Sequence, residues 1–493
     1  MYKFGKVLIK KYFEEPSFVD SNIASFNNLV EKELQGIVDE NREIIPTIIP
    51  NNVDDFKIRF DKIWVTRPEI TEADGSKRKI FPAEARLRKI TYSAPVFIEV
   101  SSHINDVQRE SFTTQIGNLP IMLKSNSCHL QKMSRDELIT HNEDPDDPGG
   151  YFIINGTEKV LINIEDLAPN KLLCERASTG AIVGKMFSER GSFRIPHTIE
   201  KSKDGIFYLT FTRVQNIPLI VIIKALGFLK DAEITKFISE DLKFDELLIN
   251  LYEFADIKTE EDALDYIAKR IGITQSKEIR LERMKEILDK YLLPHLGNTP
   301  DVKMYKAYNL CKMLKRYMMV SKGDLRVDDK DHYMNKRLKM SGDLMADLIR
   351  VNLKVLIGDL LYNFQRIVKR GKFPTIKVII RDKLLTSRIY SSMATGNWVG
   401  GRKGISQRIQ RLNFLESLSH LQRVVSPLSA SQENFEAREL HPTHLGRLCP
   451  IETPEGTNIG LRKNLSLLCS ISNETPEEDY VKLLVNLGLN QVK

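Results

Sequence analysis

From Ile23 onward, apolar residues fall at Phe26, Val30, Leu34 and Ile37, the spacing that keeps one face of a helix dry. The rhythm then changes. "KIRFDKIWV" and "APVFIEV" read as strands, joined through "EADGSKRK", where Asp74-Gly75 marks a turn. "YFIINGTEKVLI", Tyr151 to Ile162, predicts a hairpin, because Asn155-Gly156 separates two apolar runs and both residues tolerate positive φ. "IFYLTFT" from Ile206 adds another strand.

After about Ile217 the texture becomes helical with charged faces. "SKEIRLERMKEILDKYLLPH" places Ile279, Met284, Ile287, Leu288 and Tyr291 roughly on one stripe and stops before Pro294. A second helix runs through Met304, Tyr308, Cys311 and Leu314. The longest begins near Gly342 and ends on a basic turn followed by Gly371, a good C-terminal signal. It is apolar on more than one side, which predicts burial between layers. The sum is an α+β, multidomain chain: mixed elements to about residue 165, a helix-rich middle to about 325, and a loop-rich basic segment after about Ser387.

Composition narrows the class. The chain has 493 residues, enough for two to four domains, with 42% hydrophobic and 28% charged residues. A net charge of +7 leans mildly toward an anionic partner. Five scattered cysteines form no C-x-x-C pair and suggest neither a zinc site nor a disulfide framework, which fits a reducing, intracellular compartment. "MYKFGKVLIKKYF" does not read as a signal peptide. The most apolar run, "IPLIVIIKALGFL", is too short for a bilayer and is interrupted by Lys224. A cytoplasmic protein without a membrane partner is expected.

Two stretches carry candidate chemistry. "HPTHLGRLCPIETPEGTNIGL", His441 to Leu461, is neither helix nor ordinary strand, because Pro450, Pro454 and Gly456 break both. It holds Glu452 and Glu455 on a stiffened backbone. Immediately upstream, "GNWVGGRKGISQRIQRLNFLESLSHLQRVV" sets Arg402, Lys403, Arg408, Arg411 and Arg423 against one acid, Glu416. Its glycines permit close backbone approach, and Trp398 is placed to stack on a base or sugar. The segment reads either as a phosphate cradle or as a solvated basic face; it is not a Walker loop.

Other candidates have plainer readings. His441 and His444 lack helical geometry around Pro442 and read as structural. "EDPDDPGG", Glu143 to Gly150, fails the calcium-loop pattern and reads as a solvated turn. "DDKDH", Asp328 to His332, reads as a helix cap or a salt-bridge partner of the following "NKR". No D-x-D-x-D cluster and no Ser-His-Asp grouping with local context is present.

Six stretches in order resemble one family: "FPAEARLRKITYSAPVFIEV", "IGNLPIMLKSNSCHL", "DPGGYFIINGTEKVLI", "DDKDHYMNKRLKMSGDLM", "SLSHLQRVVSPL" and "HPTHLGRLCPIETPEGTNIGLRKNLSLL". They are similar to the second-largest, β-type subunit of multisubunit DNA-directed RNA polymerase. The short connection "SPLSASQENFEAREL" resembles the archaeal and nuclear type. Family members normally continue for hundreds of residues beyond the acidic loop. This chain therefore resembles the N-terminal half-subunit of archaea in which the polypeptide is split.

The resemblance implies a protrusion, a lobe and a fork. Its expected segments are an N-terminal extension (1–20), protrusion (21–165 and 328–386), lobe (166–327), fork (387–472) and a tail or junction (473–493). It implies that "GNWVGGRKGISQRIQ" is the first fork loop and "SPLSASQENFEAREL" the second, facing the point where DNA strands separate. It also implies that Glu452, Thr453, Pro454, Glu455 and Gly456 form a loop beside the nucleotide-addition site. Arg402, Lys403, Arg408, Arg411, Arg423 and Trp398 would contact nucleic acid. No metal ligand and no cofactor is expected in this chain; Mg2+ would be held by the largest subunit. Expected partners are a separate C-terminal half, the largest and other core subunits, template DNA, RNA and nucleoside triphosphates. Two rivals remain: a scaffold protein with no part in synthesis, and a stand-alone single-strand-binding protein, which would need a stacking platform beyond Trp398 and Phe414.

Overall fold

In a computed structural model, the chain is described at residues 2–14, 18–49, 53, 55–177, 179–191, 193–238, 245–372, 375–466, 469–472 and 477–489. It divides into two units, Met1–Glu165 with Leu338–Lys493, and Asp166–Arg337.

The larger unit is built on an antiparallel sheet in the order Glu43–Ile44, Phe56–Val65, Ser93–Ile104, Val107–Pro120. Alternation explains the inner face: Phe56, Ile58 and Phe60 are fully buried, with polar neighbours between them. The first predicted helix spans Asp20–Asn28 and Leu34–Asp39, joined without a break by a π turn at Leu29–Glu33. Its predicted stripe is buried at Phe26, Leu34 and Ile37.

The long helix runs Ser341–Val368. Its first turn lies so close to the helix Asp20–Asn28 that a Cβ on Gly342 would stand 2.1 Å from the Ser25 carbonyl oxygen. Farther along, Phe364 stacks on Phe56 with ring centroids 5.0 Å apart. Burial on several sides holds only for the first turns. From Leu353 the buried stripe narrows to Leu353, Leu356, Leu360 and Phe364, while Tyr362 is exposed.

The hairpin forms as its sequence dictates. Phe152–Ile154 pairs with Thr157–Leu161, and Asn155 and Gly156 have φ of +49° and +74°. Only glycine fits the second position, since a Cβ there would lie 2.6 Å from the Cα of Lys89.

The smaller unit has a five-stranded antiparallel sheet in sequence order: Leu173–Arg176, Ile182–Arg190, Phe193–Lys201, Phe207–Phe211 and Val214–Pro218. Helices follow, among them Leu219–Ala225, Lys277–Tyr291 and Lys303–Lys322. Leu219–Ala225 is buried throughout, and Lys224 within it donates to the Phe254 and Ile257 carbonyls at 3.0 and 3.2 Å. The charge that interrupted the apolar run thus ties down a neighbouring turn. The stripe on Lys277–Tyr291 is narrower than its sequence suggests: Met284 and Leu288 are buried, but Ile279 is exposed.

Residues 328–337 belong to this unit. The Asp328 amide donates to the Cys174 carbonyl at 2.8 Å, its carboxylate pairs with Arg316 at 2.8 Å, and Lys171 donates to Asn335 at 2.6 Å. Within "DDKDH", Asp331 pairs with Lys336 at 3.3 Å.

Candidate active-centre loops and basic face

The basic segment is tied into the hairpin sheet. Ser406–Arg408 pairs antiparallel with Thr157–Leu161, setting Arg408 opposite Lys159. Burial, and then the Arg408 charge, lower the Lys159 pKa; its ammonium donates to the Ala394 carbonyl at 2.9 Å. Upstream, the helix Asp382–Thr395 ends on Gly396, where a Cβ would meet the Ser406 carbonyl at 2.7 Å. The chain then turns through Gly400, Gly401 and Gly404, all at positive φ. Lys403 and Arg408 are exposed and Arg402 is half-buried.

Trp398 closes this turn and offers no stacking face. The residue is 7% exposed, and its Nε1–H donates to the Leu344 carbonyl at 2.8 Å. Two arginines are likewise engaged within the fold. Arg411 pairs with Glu158 at 2.9 Å and Asp147 at 3.0 Å, and lies over the Tyr151 ring at 5.0 Å. Glu158 also pairs with Arg86, which holds Glu143 and donates to the Tyr151 hydroxyl at 2.8 Å. The "EDPDDPGG" turn is therefore a partly buried counter-charge. Glu143 is only 8% exposed, and burial raises its pKa. Arg423 is partly buried and stands 3.5 Å from Glu416.

The acidic loop has irregular backbone, as its prolines require, with a single 3-10 turn at Gly456–Asn458. Its two carboxylates differ. Glu452 accepts a hydrogen bond from the Ser419 hydroxyl, and that hydroxyl accepts from Asn464 Nδ2 at 2.8 Å. Glu455 is exposed at the start of the 3-10 turn. Thr453 closes the loop on itself: its hydroxyl donates to the Arg462 carbonyl and accepts from the Gly460 amide, both at 3.0 Å. Pro454 is half-buried, and Gly456 has φ +81° with open space around it. His441 caps the 3-10 turn Pro442–His444, its Nδ1 accepting from the Thr443 amide at 3.2 Å, and His444 ends that turn.

These loops converge. The glycine turn (Gly400 to Ile405), the stretch Val425 to Ala430, and Asn458, Leu461 and Arg462 line one cleft of about 720 Å³. Arg402, Lys403 and Arg462 are among the residues that line it.

The comparisons with known proteins decide the family. A family model described as "RNA polymerase beta subunit" matches residues 17–387, and one described as "RNA polymerase Rpb2, domain 3" matches residues 407–471. The chain belongs to the RNA polymerase β subunit family. It is 45% identical over 494 residues to "DNA-directed RNA polymerase subunit Rpo2N" of Methanocaldococcus jannaschii, covering 98% of both chains. To the Rpo2N of Methanothermobacter thermautotrophicus it is 40% identical, over 99% of this chain and 98% of that one. "DNA-directed RNA polymerase subunit Rpo2" of Saccharolobus shibatae is 43% identical, with 99% of this chain covering 43% of that longer one.

Within the RNA polymerase β family frame, several residues go beyond the sequence reading. Arg438 donates to four backbone carbonyls on two loops. Ser419 and Asn464 orient Glu452. His420, 1% exposed, accepts from the Gln410 amide at Nδ1 (3.1 Å) and donates from Nε2 to Gln407 (3.2 Å). Burial lowers its pKa to about 4, with Arg423 and Arg462 adding to the effect. Lys463 and Glu165 form a buried pair at 2.8 Å. The Lys463–Glu165 and Glu452–Ser419 contacts join residues 298 and 33 positions apart, and those of Arg438 and of His420 with Gln410 reach irregular backbone, so no local motif announces them. Among the described residues, no group of three or more His, Cys, Asp or Glu is placed to hold a metal ion. No helix among them is long and apolar enough to cross a membrane.

Proposed function

We propose that this chain serves as the N-terminal half of the second-largest subunit of a cytoplasmic DNA-directed RNA polymerase, assembled with a separate C-terminal half, the largest subunit and other core subunits. In this role it frames the DNA/RNA cleft and one side of the nucleotide-addition site during templated synthesis from ribonucleoside triphosphates. The observation that carries the reading is the convergence of three loops on one cleft, with cationic Arg402, Lys403 and Arg462 in its walls and the carboxylate-bearing loop adjoining.

The chemistry fits this division of labour. Phosphoryl transfer depends chiefly on holding reactants in line and on stabilising charge. Mg2+, expected in the largest subunit, would supply that charge stabilisation. This chain's own side chains suit the framing of such a centre. Glu452 is already committed to Ser419, and Glu455 projects from a loop closed by Thr453. Lys403 and Arg408 supply phosphate contacts that position nucleic acid without reading sequence.

The decisive experiment is reconstitution with both halves and the largest subunit, comparing wild type with Glu452→Ala/Glu455→Ala in single-nucleotide addition. Slowed addition with normal assembly supports the proposal. Defective assembly with unaltered addition by the assembled fraction would favour the scaffold reading, which the internal engagement of Arg411 and Trp398 also suits.

A further inference from the structure

Arg438 stands near the end of the loop at residues 426–440, and its guanidinium is divided between that loop and the acidic loop. Nη1 donates to the Thr457 carbonyl at 2.7 Å and the Ile459 carbonyl at 3.1 Å, both on the acidic loop. Nη2 donates to the Ala430 carbonyl at 3.0 Å and the Gln432 carbonyl at 3.1 Å, both on the preceding loop. Each terminal nitrogen thus serves one loop. The backbone adds to the contact: Gly460 packs so tightly on Arg438 that a Cβ there would fall 2.2 Å from the Arg438 carbonyl oxygen, and its φ is +71°. Both loops carry exposed side chains at their tips, Phe435 on one and Glu455 on the other.

The geometry points to Arg438 as a positioning residue that couples the loop at residues 426–440 to the acidic loop, so that strand separation and nucleotide addition report on each other. The inference rests on the functional reading given above for the two loops. A planar fork with a permanent charge can bridge two pairs of carbonyls at fixed separation, whereas an ammonium presents a compact point charge. If either loop shifts alone, two N–H groups lose their acceptors, so the loops favour moving together. Arg438 itself touches no reactant in this scheme; it acts through the backbone of both loops.

The test uses reconstituted polymerase. Phe435→Ala and Glu455→Ala are made singly and together, in the presence of Arg438 and in an Arg438→Lys background. Two readouts are taken: kcat and KM for single-nucleotide addition, and opening of the downstream base pair by fluorescence of a base analogue. With Arg438 present, the two loop substitutions are expected to depart from additivity by at least about threefold in kcat. With lysine they are expected to combine within about twofold. Non-additivity that survives in Arg438→Lys overturns the proposal, as does additivity when Arg438 is present. Failure of both Arg438→Lys and Arg438→Gln to assemble would make the residue a fold determinant and equally overturn it. A Glu455→Ala enzyme with normal kcat and KM, in which the departure from additivity with Phe435→Ala persists and is lost in Arg438→Lys, would remove the assignment of the acidic loop while supporting the coupling.

Discussion

Lys463 meets Glu165 at 2.8 Å, with the two side chains 8% and 2% exposed. The pair joins the strand Arg462–Asn464, which follows the acidic loop, to the strand Asn163–Leu167, which follows the hairpin. Both charges have left water, so each depends on its surroundings for compensation. Lys463→Met is expected to destabilise the chain by about 3–5 kcal/mol, because a buried carboxylate loses its cation. Adding Glu165→Leu should recover most of that loss. Urea midpoints of the two variants check this, and a double variant no more stable than the single one would refute it.

Arg411 and Arg408 are expected to separate cleanly in binding experiments. Arg411 is neutralised by Asp147 and Glu158, whereas Arg408 is exposed opposite Lys159. Arg408→Ala should lower the slope of log affinity against log salt for the transcribing complex by about 1, and Lys403→Ala likewise. Arg411→Ala should leave that slope unchanged while costing stability. Salt titration of the three assembled variants supplies the comparison.

Trp398→Phe deletes the hydrogen bond to the Leu344 carbonyl and removes part of a buried ring system. The expected cost is about 2–3 kcal/mol in stability, with nucleic-acid affinity unaltered at fixed salt. A drop in affinity with unchanged melting would restore a stacking role.

How much of this was legible beforehand follows from distance along the chain. The Asn155-Gly156 hairpin was readable because the turn requirement is met by two adjacent residues. The irregular backbone at Glu452 and Glu455 was readable from neighbouring prolines for the same reason. Charge roles were not. The partners of Arg411 lie 264 and 253 residues away, at Asp147 and Glu158, so a run of arginines reads as one surface although Arg411 is held in ion pairs on that surface. The burial of Trp398 has no local signal either, since its acceptor Leu344 is 54 residues upstream. The "EDPDDPGG" turn looked solvated because nothing nearby reveals that Arg86 and Arg411 close over it.

Acid should loosen both units. His420 and His197 are buried, and desolvation lowers each pKa from 6.5 to about 4. The unfolded chain therefore binds more protons than the folded one between about pH 6.5 and 4, and stability falls as pH drops through that window. The neutral forms are fixed by geometry: His420 accepts at Nδ1 from Gln410, and His197 accepts at Nε2 from the Leu293 amide at 3.2 Å. Each costs up to about 3 kcal/mol of stability as pH falls from 6.5 to about 4. Unfolding midpoints measured from pH 7.5 to 4.5 should decline, and His420→Gln should flatten part of the decline. A flat profile for the wild type would show that neither ring is held neutral.

The segment from Thr157 to Ile164 hydrogen-bonds on one edge to Ser406–Arg408 and, two residues later, runs parallel with Arg423–Val425. One short stretch of backbone therefore splints both ends of the basic region. A rigid-body swing of that region relative to the hairpin would have to tear two ladders at once. The spans left unladdered are the glycine turn, the loop around Phe435 and the carboxylate loop. The basic region thus resembles a fixed ledge with three unsplinted margins.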